Sequence, residues 1–276
     1  MIGGLRLPEI VQMMMPGFLG LLMWNRGKLV TLDPQVFIYF GVFFVHLLFS
    51  WTHNDYCDYE LDRLNPRKTQ VRTKRELGIL CLLFLSVSFA MVLVLPGPFT
   101  LVMFAANGVW IAYSMRLKRV TPFPQLVHLS LGALYFCNSF LFFEPDHSYL
   151  PSQLVGATAF FSLLFLSANL ANELIDSDSD SAAKVRTLVN RLGKKAGKNL
   201  VLGVQLLAFL LLAVLGPNLP VRAIAGASIL AIGYLGFRRS DSEDQRNFIR
   251  FRMNYRYVLG ATAIIWAASL AIPGSA

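Results

Sequence analysis

Long apolar runs, recurring from one end of the chain to the other, limit this sequence more than any motif in it. They follow neither the helical nor the strand period of a half-buried element, so they read as segments apolar on all sides. Crossing the roughly 30 Å hydrocarbon core of a bilayer takes about 20 mostly apolar helical residues. Runs of that kind lie near 8–24, 35–55, 77–96, 98–115, 122–143, 152–175, 199–216, 219–237 and 256–272. The expected fold class is therefore an all-α membrane protein with nine transmembrane helices, built as one domain over residues 1–276. Only 15% of the residues are charged, against about a quarter in a typical soluble domain. Pro96-Gly97-Pro98 and Gly216-Pro217-Asn218-Leu219-Pro220 are the tightest connections, and both are helix breakers.

The net charge of +9 would point to nucleic acid in a soluble protein. Here the basic residues sit between the apolar runs, so membrane topology accounts for them and no nucleic-acid partner is expected. Of the 25 Lys and Arg, 22 fall in the N-terminal tail and in the loops after the second, fourth, sixth and eighth runs, leaving only Arg26, Lys28 and Arg222 on the other side. The positive-inside rule then places the N-terminus and those loops in the cytoplasm. The first run has no small-residue cleavage site behind it and reads as a retained helix. Cys57, Cys81 and Cys137 have neither metal-ligand nor redox spacing and read as packing residues.

Acidic residues concentrate at two places. Asn54-Asp55-Tyr56-Cys57-Asp58-Tyr59-Glu60-Leu61-Asp62 closes the second run, and Asn172-Glu173-Leu174-Ile175-Asp176-Ser177-Asp178-Ser179-Asp180 closes the sixth. These 18 residues hold 8 of the 16 Asp and Glu, in one repeated pattern that looks like an internal duplication. If each motif continues its helix, Asn, Asp and Asp at i, i+4 and i+8 share a face. Two such faces turned together would gather Asn54, Asp58, Asp62, Asn172, Asp176 and Asp180. Confined carboxylates repel one another and call for cations. Hard oxygen donors select magnesium, which is usually held by a few carboxylates plus substrate phosphates. The expected cofactor is Mg2+ and the expected substrate a diphosphate. Asp58, Asp62, Asp176 and Asp180 are the candidate catalytic acids, in a pocket of up to four Asp and two Asn side chains. A single Asp-x-x-x-Asp would read as a cap or loop; two copies of a nine-residue pattern, each at the end of a long apolar helix, favour the metal–diphosphate reading.

The loops after both motifs, Arg63 to Arg75 and Lys184 to Lys198, are basic, mostly as positive-inside anchors, and some of these residues, with Lys184 a candidate, follow the acids closely enough to reach a bound phosphate. The fourth run ends in Tyr113-Ser114-Met115-Arg116-Leu117-Lys118-Arg119. Lys118 and Arg119 either neutralise a leaving diphosphate, with Tyr113 pointing inward, or only anchor the helix at the interface. The arginines from Arg238 to Arg256 are interleaved with acids and read as a solvated loop or interfacial helix. His46, His53, His128 and His147 share no zinc spacing. Asn107, Asn138 and Gln205 within the runs read as interhelical hydrogen-bonding residues. Some of the 22 Phe would line a cavity for an isoprenoid tail or shield a carbocation.

On these residues the chain resembles the UbiA superfamily of intramembrane prenyltransferases. The resemblance is carried by Asn54-Asp55-x-x-Asp58-x-x-x-Asp62 and Asn172-Glu173-x-x-Asp176-x-x-x-Asp180, the latter followed by Arg186-Thr187-Leu188 and Arg191-Leu192-Gly193. Tyr113-Ser114-x-x-Leu117-Lys118 resembles the family's fourth-helix motif, and the similarity runs the length of the chain. It implies nine helices around a central cavity, in two pseudo-related halves, with a cytoplasmic loop cap over two magnesium ions. It also implies Asn54, Asp58, Asp176 and Asp180 as metal ligands, with Asp62 close behind, and Arg72 and Lys118 as diphosphate contacts. Two departures concern the acceptor. The Arg-Pro-(Ile/Leu)-x-x-Gly stretch of many aromatic-acceptor members is absent after the first motif, where Asn65-Pro66-Arg67-Lys68 stands, and Glu173 replaces a more usual Asp.

The expected partners are thus the lipid bilayer, a prenyl diphosphate, and a lipophilic acceptor such as a quinone precursor, with no acceptor at all if the enzyme is a terpene cyclase. A transporter is the third reading. Transporters place their key charges near the bilayer midplane, whereas these acids lie at helix ends.

Overall fold

The computed structural model describes residues 7–24, 34–63, 72–93, 95, 97–119, 123–142, 151–182, 185, 187–216, 218–238, 258–266 and 268–269. Lys184 and the Arg119 side chain, both candidate substrate contacts, lie outside what is described, as do His147 and most of the basic loops. The elements are α1 (Leu7–Trp24), α2 (Pro34–Cys57), α3 (Tyr59–Arg63), α4 (Lys74–Val92), α5 (Gly97–Met115), a 3-10 turn (Leu117–Arg119), α6 (Phe123–Phe142), α7 (Pro151–Ala182), α8 (Leu188–Leu192), α9 (Lys194–Leu215), α10 (Leu219–Arg238) and α11 (258–266). No strand occurs among the described residues.

Local chemistry sets several of these boundaries. Pro34 opens α2, where a missing N–H costs nothing. Thr73 caps α4 in a capping box: Glu76 N–H donates to Thr73 Oγ1 at 3.3 Å, and Thr73 N–H donates to Glu76 Oε2 at 2.7 Å. Between α8 and α9 the chain reverses at Gly193, whose φ of 83° suits glycine and little else.

Among the described residues, five segments are long and apolar enough to cross a membrane: Pro34–Cys57, Lys74–Val92, Gly97–Met115, Leu154–Asp178 and Lys194–Leu215. Met13–Leu22 and Leu219–Tyr234 are shorter apolar helices. Leu82, Leu101, Leu219 and Leu230 are all more than two-thirds exposed on the outside of the bundle. An apolar rind of that kind fits lipid as its solvent.

α7 lies at the centre of the packing, against α6 on one side and α9 on the other; α1 packs on α6, α2 on α4, and α10 on α9. Lipid tails are as apolar as leucine, so close contact rather than water exclusion drives such packing. Glycines permit it. A Cβ on Gly132 would lie 2.3 Å from the Phe161 carbonyl oxygen, and one on Gly156 would lie 2.5 Å from Leu215 Cβ. Gly132→Val is therefore expected to force α6 from α7 at about 1–3 kcal/mol or more. A fall in melting temperature in detergent checks this; an unchanged melt would mean the two backbones do not meet there.

Aromatic side chains fill the core between α6, α7, α9 and α11. Phe161 stacks on Phe136 at 5.2 Å and on Trp266 at 5.7 Å, and Phe160 meets Phe209 at 5.3 Å. Trp266 is fully buried, which fixes α11 against α7.

Polar bonds tie the other side. Trp110 Nε1 donates to Tyr135 Oη (2.9 Å), and Tyr135 pairs with His46 Nε2 (3.2 Å). His46 Nδ1 pairs with Asn107 Oδ1 (2.7 Å), and Asn107 Nδ2 donates to Ser88 Oγ (3.2 Å). Tyr39 donates to Asn138 Oδ1. Asn107 and Asn138 thus do the interhelical bonding expected of them, joining α2, α4, α5 and α6.

Candidate active site

The first motif straddles a small break. α2 ends at Cys57, Asp58 sits in a turn, and α3 starts at Tyr59. Two backbone bonds carry the helical ladder across the break, from Asp58 N–H to Asn54 O (2.9 Å) and from Asp62 N–H to Asp58 O (2.8 Å). Asn54, Asp58 and Asp62 therefore keep the i, i+4, i+8 stacking, and Asp62 is buried.

Lys118 reaches this stack from the 3-10 turn after α5. Its Nζ donates to Asp58 Oδ1 at 2.6 Å and to Asn54 Oδ1 at 3.3 Å. The side chains of Lys118 and Asp58 are only 12% and 15% exposed, so solvent screens this ion pair far less than it would a surface one. Asn54 and Asp58 thus present two hard oxygens to one positive centre. That donor set fits a divalent cation preferring oxygen ligands. Among the described residues, no three His, Cys, Asp or Glu side chains come close enough together to hold a metal by themselves.

The second motif lies wholly within α7. The helix continues to Ala182, seven residues past the expected end at 175. Its 32 residues span about 48 Å at 1.5 Å per residue, well beyond a roughly 30 Å hydrocarbon core. The C-terminal third of this long helix carries Asn172, Asp176 and Asp180.

Glu173 does work that the sequence did not assign to it. It is buried, and its Oε1 accepts from Gln125 Nε2 of α6 and Asn169 Nδ2 of α7, both at 2.9 Å. Its Oε2 accepts the Val189 N–H of α8 at 3.3 Å. One carboxylate thus fastens the short α8 and the start of α6 to the motif helix. The methylene by which Glu exceeds Asp supplies the reach.

Tyr113 is buried at the end of α5 and close enough to Asp58 and Glu173 to interact electrostatically with both. Its Oη lies 3.1 Å from His128 Nε2 on α6. Sequence reasoning left His128 and Gln125 without a role. Their signal was present: Gln125, His128, Tyr135 and Asn138 stand 3, 7 and 3 residues apart, the spacing of a single helix face. Arg72 lies just ahead of the α4 capping box and feels the charge of Glu76.

The halves share a plan. α2, α3 and α4 run as motif helix, five-residue helix and long helix, and α7, α8 and α9 do the same. In each, the acid at the seventh motif position pairs with the first residue of the next long helix: Glu60 with Lys74 at 3.6 Å, and Asp178 with Lys194 at 2.7 Å. Glu60 and Asp178 are 66% and 60% exposed, turned from the Asn/Asp/Asp stack. Exposed pairs of this sort are worth about 0–1 kcal/mol. Glu60→Gln and Asp178→Asn are thus expected to keep activity within about fivefold of the parent, as an initial-rate assay would show; complete loss in either would make that acid part of the site.

The fold has counterparts among solved structures. A digeranylgeranylglyceryl phosphate synthase superposes with a TM-score of 0.71 at 13% identity, covering 98% of this chain and 97% of that one. A UbiA homolog from Archaeoglobus fulgidus bound to GPP and Mg2+ gives 0.66 at 16% identity, with 97% and 99% covered. The apo UbiA homolog from Aeropyrum pernix K1 gives 0.67 at 14% identity, with 93% and 98% covered. No curated protein sequence matches the chain. The family match is direct, running over residues 13–255, which is most of the sequence and takes in both acidic motifs and Lys118. The chain belongs to the UbiA prenyltransferase family.

Proposed function

We propose that the protein is a magnesium-dependent intramembrane prenyltransferase. It moves a prenyl group from an isoprenoid diphosphate to a lipophilic acceptor such as a quinone precursor, another aromatic or a lipid, and releases diphosphate. The observation that carries this reading is the position of Lys118, held at 2.6 Å from Asp58 and 3.3 Å from Asn54 in a largely desolvated corner. A cation donor and carboxylate oxygens side by side are what a metal-bound diphosphate needs. The digeranylgeranylglyceryl phosphate synthase fold and the homolog bound to GPP and Mg2+ support the same chemistry.

In this reading Asn54, Asp58 and Asp62 of the first motif and Asp176 and Asp180 of the second would hold magnesium, with Asn172 contacting the substrate. Bound there, the metal supplies charge stabilisation to the departing diphosphate. Lys118 donates to the same leaving group; Arg72, Arg119 and Lys184 are the further cationic contacts, and Tyr113 closes the site from α5. The apolar walls exclude the water that would quench an allylic cation. The nine expected helices form a ring around this site in two related halves, capped by the basic loops on the cytoplasmic side.

Two experiments test this. Purified protein with magnesium, labelled geranylgeranyl diphosphate and a panel of lipophilic acceptors is expected to yield a prenyl conjugate plus diphosphate. A cyclic hydrocarbon would make it a terpene cyclase, and no product of either kind would overturn the enzymatic reading. Single-cysteine labelling at positions 68 and 195 is expected to report the cytoplasmic side; labelling from the opposite side would overturn the orientation.

A further inference from the structure

We infer that the Tyr113–His128 pair takes up the proton that the acceptor loses on prenylation. This rests on the transferase reading above. Transfer breaks the allylic C–O bond, whose electron pair leaves with the diphosphate. It forms a bond between the allylic carbon and a carbon or oxygen of the acceptor. That atom then sheds a proton, keeping the electrons of its former bond to hydrogen. The proton needs a base, and two of the acids at the site are already engaged. Asp58 is bonded to Lys118, and Glu173 accepts from Gln125, Asn169 and Val189. Lys118, as an ammonium, has no lone pair to offer.

Tyr113 and His128 are placed for the task. Tyr113 stands near the end of α5, whose following turn brings Lys118 to Asp58, and His128 stands three residues along α6 from Gln125, which donates to Glu173, so the pair lies beside both motifs. Its Oη is 3.1 Å from His128 Nε2, a distance at which a proton moves along a hydrogen bond. The acceptor's proton passes to Tyr113 Oη as the Tyr113 O–H proton passes to His128 Nε2. Tyr113 ends as a neutral phenol and His128 as an imidazolium, whose charge offsets part of that gained by the released diphosphate. The surroundings hold this geometry. Trp110 meets the Tyr113 ring edge-on at 5.3 Å and the His128 ring at 6.1 Å, and the Tyr113 and His128 rings meet each other at 5.3 Å and 89°. Trp110 is itself pinned by its bond to Tyr135. Aromatic faces of this kind also favour a developing cation.

The test uses the full-length protein in detergent with magnesium, labelled geranylgeranyl diphosphate, and two acceptor probes, 4-hydroxybenzoate and geranylgeranylglyceryl phosphate. Diphosphate release and conjugate formation are measured separately. His128→Gln is expected to lower kcat for the conjugate about 100-fold, the lower bound for a general base. The KM for geranylgeranyl diphosphate should stay within about twofold. In His128→Ala, added imidazole is expected to restore conjugate formation, which a merely structural histidine would not allow. Tyr113→Phe keeps the ring packing, removes the relaying hydroxyl, and should show the same split if the His128 variants fail to fold. Conjugate formation within about threefold of the parent in His128→Gln or Tyr113→Phe, or no rescue by imidazole in a folded His128→Ala, overturns the proposal. No diphosphate release and no conjugate from the parent would instead overturn the transferase reading, and the proposal with it.

Discussion

Asp58→Ala is expected to abolish prenyl transfer, by at least about a hundredfold in kcat, while the protein still inserts and folds. The substitution does two things at once. It deletes a carboxylate from the Asn54–Asp58–Asp62 stack, the face proposed above to hold magnesium. It also strips Lys118 of its closest partner, 2.6 Å away, in a corner where only 12% of the lysine side chain meets solvent. Removing one partner of a desolvated pair leaves the other uncompensated. Loss of a single group that stabilises developing charge commonly costs about 10²–10³ in rate. Asp176→Ala should do the same from the other half, because α7 carries Asp176 one turn above Asp180. Turnover of labelled geranylgeranyl diphosphate, read beside a thermal melt in detergent, checks both. Near-normal turnover in either folded variant would remove that residue from the ligand set.

Lys118→Gln is expected to lower kcat/KM by about 10- to 100-fold. Charge-assisted contacts are worth roughly 1.5–3 kcal/mol, and about 1.4 kcal/mol corresponds to a factor of ten. A lysine that merely anchored its helix would point to the interface and leave the work to Arg116 beside it. The observed amine instead turns inward to Asp58 and Asn54. Added pyrophosphate should inhibit the variant less than the parent, since the anion loses one donor. Unchanged efficiency together with unchanged pyrophosphate inhibition would return Lys118 to anchoring and move the cationic contact to Arg72.

Much of this was legible in the sequence because the bilayer reduces folding to few choices. An apolar run of sufficient length must be helical there, so the main helices could be placed from the runs alone. The Asn, Asp and Asp spacing gave the stack on α2, and it survives the break at Asp58 because the backbone ladder does. Other features depend on contacts that no local pattern encodes. The apolar run stops at Ile175 and leaves open whether the helix goes on through the motif. The helix continues there with Glu173 pinned to α6 and α8 and Asp178 to Lys194. The meeting of Lys118 with Asp58 spans 60 residues and follows only from how α5 returns beside α2. Glu173 read as a departure from the family's usual Asp that bore on the acceptor, and only its contacts with Gln125, Asn169 and Val189 show what the longer side chain reaches.

The matched ion pairs of the two halves bear on how the molecule assembles. Glu60 and Lys74 are 14 residues apart, and Asp178 and Lys194 are 16 apart. Closing loops this short carries a modest entropic penalty, and one nearly equal in the two halves. Each acid-bearing corner can thus take shape as its own helical hairpin emerges, ahead of the long-range meeting of α5 with α2. The contact of Lys118 with Asp58, 60 residues apart along the chain, closes a longer loop and carries the larger entropic penalty.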